Sequence, residues 1–229
     1  MNPHFTYFVI LIASLAGPLC LSFDKKVAFY KNWKYLFPAM LFPAIFYIVW
    51  DFYFTDKGVW SFNDNYVSGL NIYNLPVEEV LFFFVIPYCC MFIYECIAAY
   101  FPSVKTKKNA DIVLKSLGVI LFVAGIVFYD HWYTSWTFIL TSIFIAFIYL
   151  AKTYFKTFSA SLFLISFLVM LIPFLIVNGF LTSIPVIEYN NAENLGIRIS
   201  TIPVEDIFYG MLLILMNVVL YEKLKSKIV

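Results

Sequence analysis

The chain has 229 residues, 63% hydrophobic, 21% aromatic and 13% charged, with a formal net charge of +1. A soluble domain carries about 25% charged residues, and apolar runs long enough to cross a bilayer recur along this chain, which excludes a soluble enzyme and leaves no room for a separate soluble domain. The basic residues are spread through connections rather than gathered into a stripe, which excludes a nucleic-acid surface.

Seven helical spans are predicted, at about 4–22, 34–54, 77–100, 112–129, 132–150, 159–181 and 204–222. No basic segment precedes the first, and positive charges follow it, so it reads as a retained span rather than a cleaved signal peptide. The second carries Pro38 and Pro43 and ends near Trp50-Asp51. The third opens after Pro76 and carries Pro87. The fourth is the weakest and joins the fifth tightly near Asp130-His131. The sixth carries Pro173 and Asn178, and the last opens after Pro203. Kinks at the internal prolines make room for a ligand. Cys20, Cys89, Cys90 and Cys96 lie in or at the ends of apolar runs without metal-ligand spacing to histidine. They read as small apolar fillers, and no metal site is expected.

Charge supports the count of seven. Thirteen lysines then share one side: Lys25, Lys26, Lys31, Lys34, Lys105, Lys107, Lys108, Lys115, Lys152, Lys156, Lys223, Lys225 and Lys227. Only Lys57 and Arg198 face the other. The positive-inside rule places the N-terminus out and the C-terminus in.

The chain also repeats itself. Asn74-Leu75-Pro76-Val77-Glu78-Glu79 returns as Thr201-Ile202-Pro203-Val204-Glu205-Asp206, an offset of 127. Without gaps, that offset gives eight identities over residues 63–95, including Gly69 with Gly196 and Tyr94-Glu95 with Tyr221-Glu222. The predicted fold is therefore an all-α integral membrane protein, two three-helix units joined by a linker helix in a 3+1+3 order. The units span 1–104 and 131–229, and the linker spans 105–130. An odd linker gives both units the same direction, a parallel repeat, with both acidic motifs at one depth near the outer face.

A single Pro-x-Glu-Glu is an ordinary helix start, since proline suits the first turn and acids there are favoured by the dipole. Duplication and depth argue for more. The fifteen residues from Ile207 to Tyr221 make about 22 Å of helix against a hydrocarbon core about 30 Å thick, which draws Glu205 and Asp206 toward the hydrocarbon edge. Adjacent residues on a helix point about 100° apart, so the expected pairs form across the repeat, Glu78 with Glu205 and Glu79 with Asp206. Close carboxylates in a desolvated site do not both ionise easily, and one is then a general acid for a greasy substrate. The helix N-terminus opposes this. Asp51 and its repeat mate Asn178 are candidate hydrogen-bond partners for the acids, against a bland reading as headgroup-boundary residues. His4 and His131, also 127 apart, read as interfacial polar residues. Glu95 and Glu222 read as surface partners for lysines. The many aromatics suit either lipid contact or a cavity that stabilises a carbocation.

Two Pro-x-Glu-Glu/Asp motifs on two similar three-helix units resemble the membrane-bound lycopene cyclase domain family, here fused in tandem. Ser22-Phe23-Asp24-Lys25-Lys26, Trp33-Lys34-Tyr35-Leu36-Phe37-Pro38 and Trp50-Asp51 share the likeness, which covers nearly the whole chain. The second motif departs in ending with Asp206. The resemblance implies a lycopene β-cyclase in the cell membrane. Glu78, Glu79, Glu205 and Asp206 would be catalytic, and Asp51, Asn178, Trp50, Pro76 and Pro203 would bind substrate. It implies a carotenoid substrate, surrounding lipids and other carotenoid-pathway enzymes as partners. No cofactor is expected: soluble-type cyclases carry a flavin on a G-x-G-x-x-G fold, and that motif does not occur here.

Several readings compete with this one. A related cyclase for a C50 chain or an ε-ring, a small-solute 3+1+3 transporter, and a non-catalytic membrane assembly factor all fit the composition. A retinal photoreceptor fits less well, because 207–222 contains no lysine for a Schiff base.

Overall fold

The computed structural model describes residues 3–106 and 109–226. Lys107, Lys108 and Lys227, counted above in the charge asymmetry, lie outside the described residues. Among the described residues there are seven long helices: α1 (Thr6–Leu21), α2 (Trp33–Asp56), α3 (Val77–Tyr100), α4 (Ala110–Val127), α5 (Trp132–Leu150), α6 (Ala160–Ser183) and α7 (Glu205–Lys225). All seven are long and apolar enough to cross a membrane. Large apolar side chains such as Ile12, Phe42, Ile45, Leu168 and Ile172 are exposed, while Thr134, Thr141, Ser166 and Asn217 are buried. That inversion suits a chain whose solvent is lipid and whose polar groups must find partners inside. The architecture is that of an all-α, multi-pass membrane protein.

The predicted spans match these helices to within about three residues at each end. The internal prolines do not end helices: α1 runs through Pro18, α2 through Pro38 and Pro43, α3 through Pro87 and α6 through Pro173. Neighbouring helices and local adjustments satisfy the backbone groups that a proline frees in such segments.

Short strands, absent from the sequence reading, organise one end of the bundle. β1 (Trp60–Phe62) pairs antiparallel with β4 (Ile187–Tyr189), Ser61 opposite Glu188. β2 (Asn71–Ile72) and β3 (Leu75–Pro76) form a hairpin that leads into α3. β5 (Arg198–Ile199) and β6 (Ile202–Pro203) form its counterpart ahead of α7. Each hairpin turns through a residue in the left-handed region, Tyr73 at φ 56° and Ser200 at φ 58°, and each follows a left-handed glycine, Gly69 at 80° and Gly196 at 68°. These four positions are repeat mates at the offset of 127. The backbone bonds repeat too. Val77 N–H donates to Leu70 at 2.8 Å and Val204 N–H to Ile197 at 3.0 Å, while Tyr7 N–H donates to Tyr66 at 3.1 Å and Tyr133 N–H to Glu193 at 2.8 Å.

The opposite, lysine-rich end is tied across the two halves. Tyr94 donates to Glu222 at 3.0 Å and Tyr221 donates to Glu95 at 2.7 Å, so each tyrosine holds the glutamate of the other repeat. Lys225 pairs with Glu95 at 2.7 Å, a lysine partner of the kind expected. Glu95 is buried rather than on the surface, and the crossed tyrosines account for its burial.

Candidate active site

The acids sit where each hairpin hands the chain to a helix. The backbone turns at Pro76, and Val77 starts α3, so Glu78 and Glu79 fall in its first turn; Glu205 and Asp206 occupy the first turn of α7. All four are buried.

The two acids of each motif do different things, because consecutive helix positions point in different directions. Glu78 accepts the amide N–H of Ser68 at 2.7 Å, and Glu205 accepts that of Leu195 at 2.8 Å and the hydroxyl of Thr134 at 2.6 Å. Ser68 and Leu195 are repeat mates, each in the loop that precedes its own helix. The expected Glu78–Glu205 pair makes no hydrogen bond: each carboxylate accepts from the loop before its own helix, Glu205 also from α5, and the second oxygen of each has no partner among the described residues.

Glu79 and Asp206 point inward and line one cavity together. Tyr7 of α1 donates to Glu79 at 2.5 Å, and Tyr133 of α5 donates to Asp206 at 2.5 Å. Tyr189 at the end of β4 adds a second bond to Asp206 at 3.0 Å. Burial, and then the adjoining Asp206 carboxyl, pushes the Tyr189 phenol well above its ordinary range, so it stays protonated and acts as a donor. The cavity beside the acids measures about 50 Å³, and its other walls are apolar or aromatic apart from Asn178, among them Phe82, Phe167 and Phe174.

The remaining candidates divide. Asp51 is buried and accepts from Tyr209 at 2.9 Å, while its second oxygen has no hydrogen-bond partner among the described residues. Asn178 lines the cavity wall but makes no hydrogen bond to either acid. Trp50 lies outside the cavity, on a groove between α2 and α5, where it packs against Tyr209 with ring centroids 5.1 Å apart. Pro76 and Pro203 are buried ends of the hairpins, not cavity walls. His4 and His131 are turned to the loops, with Nδ1 atoms 3.0 Å and 2.9 Å from the carbonyls of Asp64 and Ala192.

The sequence reading missed the tyrosines. Tyr7 and Tyr133 are 126 apart rather than 127, so a comparison without gaps sets them out of register. Allowing a one-residue slip after the paired histidines would have aligned them.

The model of the lycopene cyclase family matches residues 4–97 and 130–224 of this chain. Those segments take in α1 to α3 and α5 to α7, with one acidic motif in each, and the chain belongs to the lycopene cyclase family as a tandem member. A protein named lycopene beta-cyclase from Halobacterium salinarum is 31% identical over 87 residues, covering 35% of each chain. A protein named bifunctional lycopene cyclase/phytoene synthase from Aspergillus oryzae is 27% identical over 137 residues, which is 56% of this chain and 22% of that protein. The similar stretch thus spans about a third of the first relative and about a fifth of the second. No solved structure matches the chain.

Proposed function

We propose that this chain closes the ψ-ends of lycopene into β-rings by an acid–base isomerisation in the cell membrane. The observation that carries the reading is that Glu79 and Asp206, one from each repeat, line the same apolar cavity inside a bundle of apolar helices. In this reading one of the two, as the carboxylic acid, adds its proton to the terminal double bond of the polyene. The resulting tertiary cation is attacked by the neighbouring double bond, which closes the ring and moves the charge onto it. A carboxylate then removes a ring proton and restores the double bond, so that no atom is gained or lost and no electron leaves. Tyr7, Tyr133 and Tyr189 orient the carboxyls, and the surrounding rings stabilise the passing cation. Glu78 and Glu205 hold the loops that position the helix starts, and Asp51 holds Tyr209, which lines the same cavity as Glu79.

The repeated bonds at both hairpins support two three-helix units, 1–104 and 131–229, joined by 105–130 and running in the same direction. The lysine asymmetry supports an orientation with the hairpin end outside.

Expression in a lycopene-accumulating bacterium tests the reading. The expected result is conversion of red pigment to β-carotene on chromatography. An ε-ring product or a cyclised C50 pigment would assign the same site a different end group, and unchanged lycopene would remove the assignment.

A further inference from the structure

The two repeats are not equivalent around the cavity. Pro173, Phe174, Val177 and Asn178 of α6 correspond at the offset of 127 to Phe46, Tyr47, Trp50 and Asp51 of α2, and Gly210 of α7 corresponds to Phe83 of α3. On the α6 side the space is open. The cavity that holds Glu79 and Asp206 adjoins an apolar groove of about 170 Å³ between α1, α3 and α6, and the two share Phe82, Ile86, Cys90, Phe174 and Asn178 as walls. The groove continues past Ser14 and Pro18 of α1 and Pro173 of α6, so it runs from the acids toward the middle of the helices. Gly210, a wall of the acid cavity, lets the Phe174 ring pack close against α7: a Cβ there would come within 2.9 Å of that ring.

On the α2 side the same positions are filled. Tyr47 packs on Phe83 at 5.5 Å and on Tyr209 at 4.7 Å between ring centroids, and Trp50 closes on Tyr209 at 5.1 Å. Tyr209 donates to Asp51 and takes up one of its oxygens. A larger groove of about 550 Å³ does lie between α2 and α5, but it is lined entirely by apolar and aromatic side chains, has Trp50 as a wall and shares no wall with the acid cavity.

The geometry points to one entrance: the polyene reaches the acids through the α1–α6 groove, and the pseudo-equivalent α2–α5 groove is a plugged remnant that no substrate uses. The inference rests on the cyclase reading for the identity of the occupant. The groove fits an extended apolar chain rather than a small polar solute, because Asn178 is its one amide and no charged side chain lines its length. A symmetrical polyene with one entrance presents its two ends to the same carboxyls in turn.

The test uses the full chain in membranes supplied with lycopene. Val177→Trp and Ser14→Trp, which fill the α1–α6 groove, are expected to cut turnover at least tenfold. Val49→Trp and Ile45→Trp, on the α2–α5 groove, are expected to stay within twofold of the parent. Alkylation by N-ethylmaleimide gives a readout that needs no turnover: in a cysteine-free background, added lycopene should slow labelling of Val177→Cys and leave Val49→Cys unaffected. Full turnover in both α1–α6 variants, equal losses on both sides, or protection at both or neither cysteine would overturn the single entrance. A parent chain that leaves lycopene unchanged removes the cyclase reading alone, and the labelling contrast then still decides whether the polyene occupies this groove.

Discussion

Tyr209 of α7 donates a hydrogen bond to Asp51 of α2 at 2.9 Å, joining a phenol from one repeat to a carboxyl from the other. The Tyr209 backbone carbonyl in turn accepts from Tyr47 at 2.8 Å. One residue thus ties α2 to α7 and also blocks the second route to the acids. Tyr209→Phe keeps the blocking ring and removes the bond. It should cost about 1–3 kcal/mol, the penalty of a buried acceptor left without its donor. Thermal inactivation of the purified protein in lipid nanodiscs measures the loss.

The division of labour within each acidic motif predicts a split phenotype. Glu79→Gln and Asp206→Asn should lower turnover by about 10²-fold or more, the ordinary contribution of a positioned acid or base. Glu78→Gln and Glu205→Gln should instead weaken the loops that begin α3 and α7, with turnover per folded molecule closer to the parent. Single-turnover rates, normalised to the monodisperse fraction, separate the two. Equal losses at all four positions would mean that Glu78 and Glu205 also reach substrate.

Tyr7→Phe and Tyr133→Phe each take one O–H from a buried carboxyl without changing shape. Each should slow turnover by about tenfold, a loss near 1.4 kcal/mol, as expected for a strong bond to a charged or charge-sharing group. Restoration of rate by a residue unable to donate at either position would rule out this role.

The crossed bonds at the lysine-rich end should act on stability alone. Tyr94→Phe and Tyr221→Phe should each cost about 0.5–1.5 kcal/mol while leaving the rate per folded molecule intact. The pair shares a network through Glu95, Glu222 and Lys225, so the double variant should depart from additivity.

Gly196 has open space around the position a Cβ would occupy, so its requirement is conformational. Gly196→Ala should cost about 1–2 kcal/mol, the penalty of the left-handed region for an L-residue, with a matching effect at Gly69. Denaturation midpoints compared between the two variants give the check.

Much of this molecule was readable in the chain itself. The seven spans follow from hydropathy, and the repeat follows from a duplicated Pro-Val-Glu at fixed offset, because both are local patterns along the sequence. The split between Glu78 and Glu79 was only half legible: helix geometry separates their directions, but which direction meets the interior depends on how α3 packs. The strands β1 and β4 were hidden because three residues are too few to show alternation. Tyr7, Tyr133, Tyr189 and Tyr209 were hidden among the 17 tyrosines of the chain, which aromatic enrichment in membrane proteins assigns to the headgroup boundary by default.

The strand pair β1–β4 joins the halves at one pole, and the swapped tyrosine–glutamate bonds join them at the other. Halves fastened at both poles do not hinge apart like a shell. A bulky guest must come in sideways from the acyl chains, so the physical state of the surrounding lipid enters the rate law: a stiffer bilayer should slow loading and leave the chemistry at the carboxyls untouched.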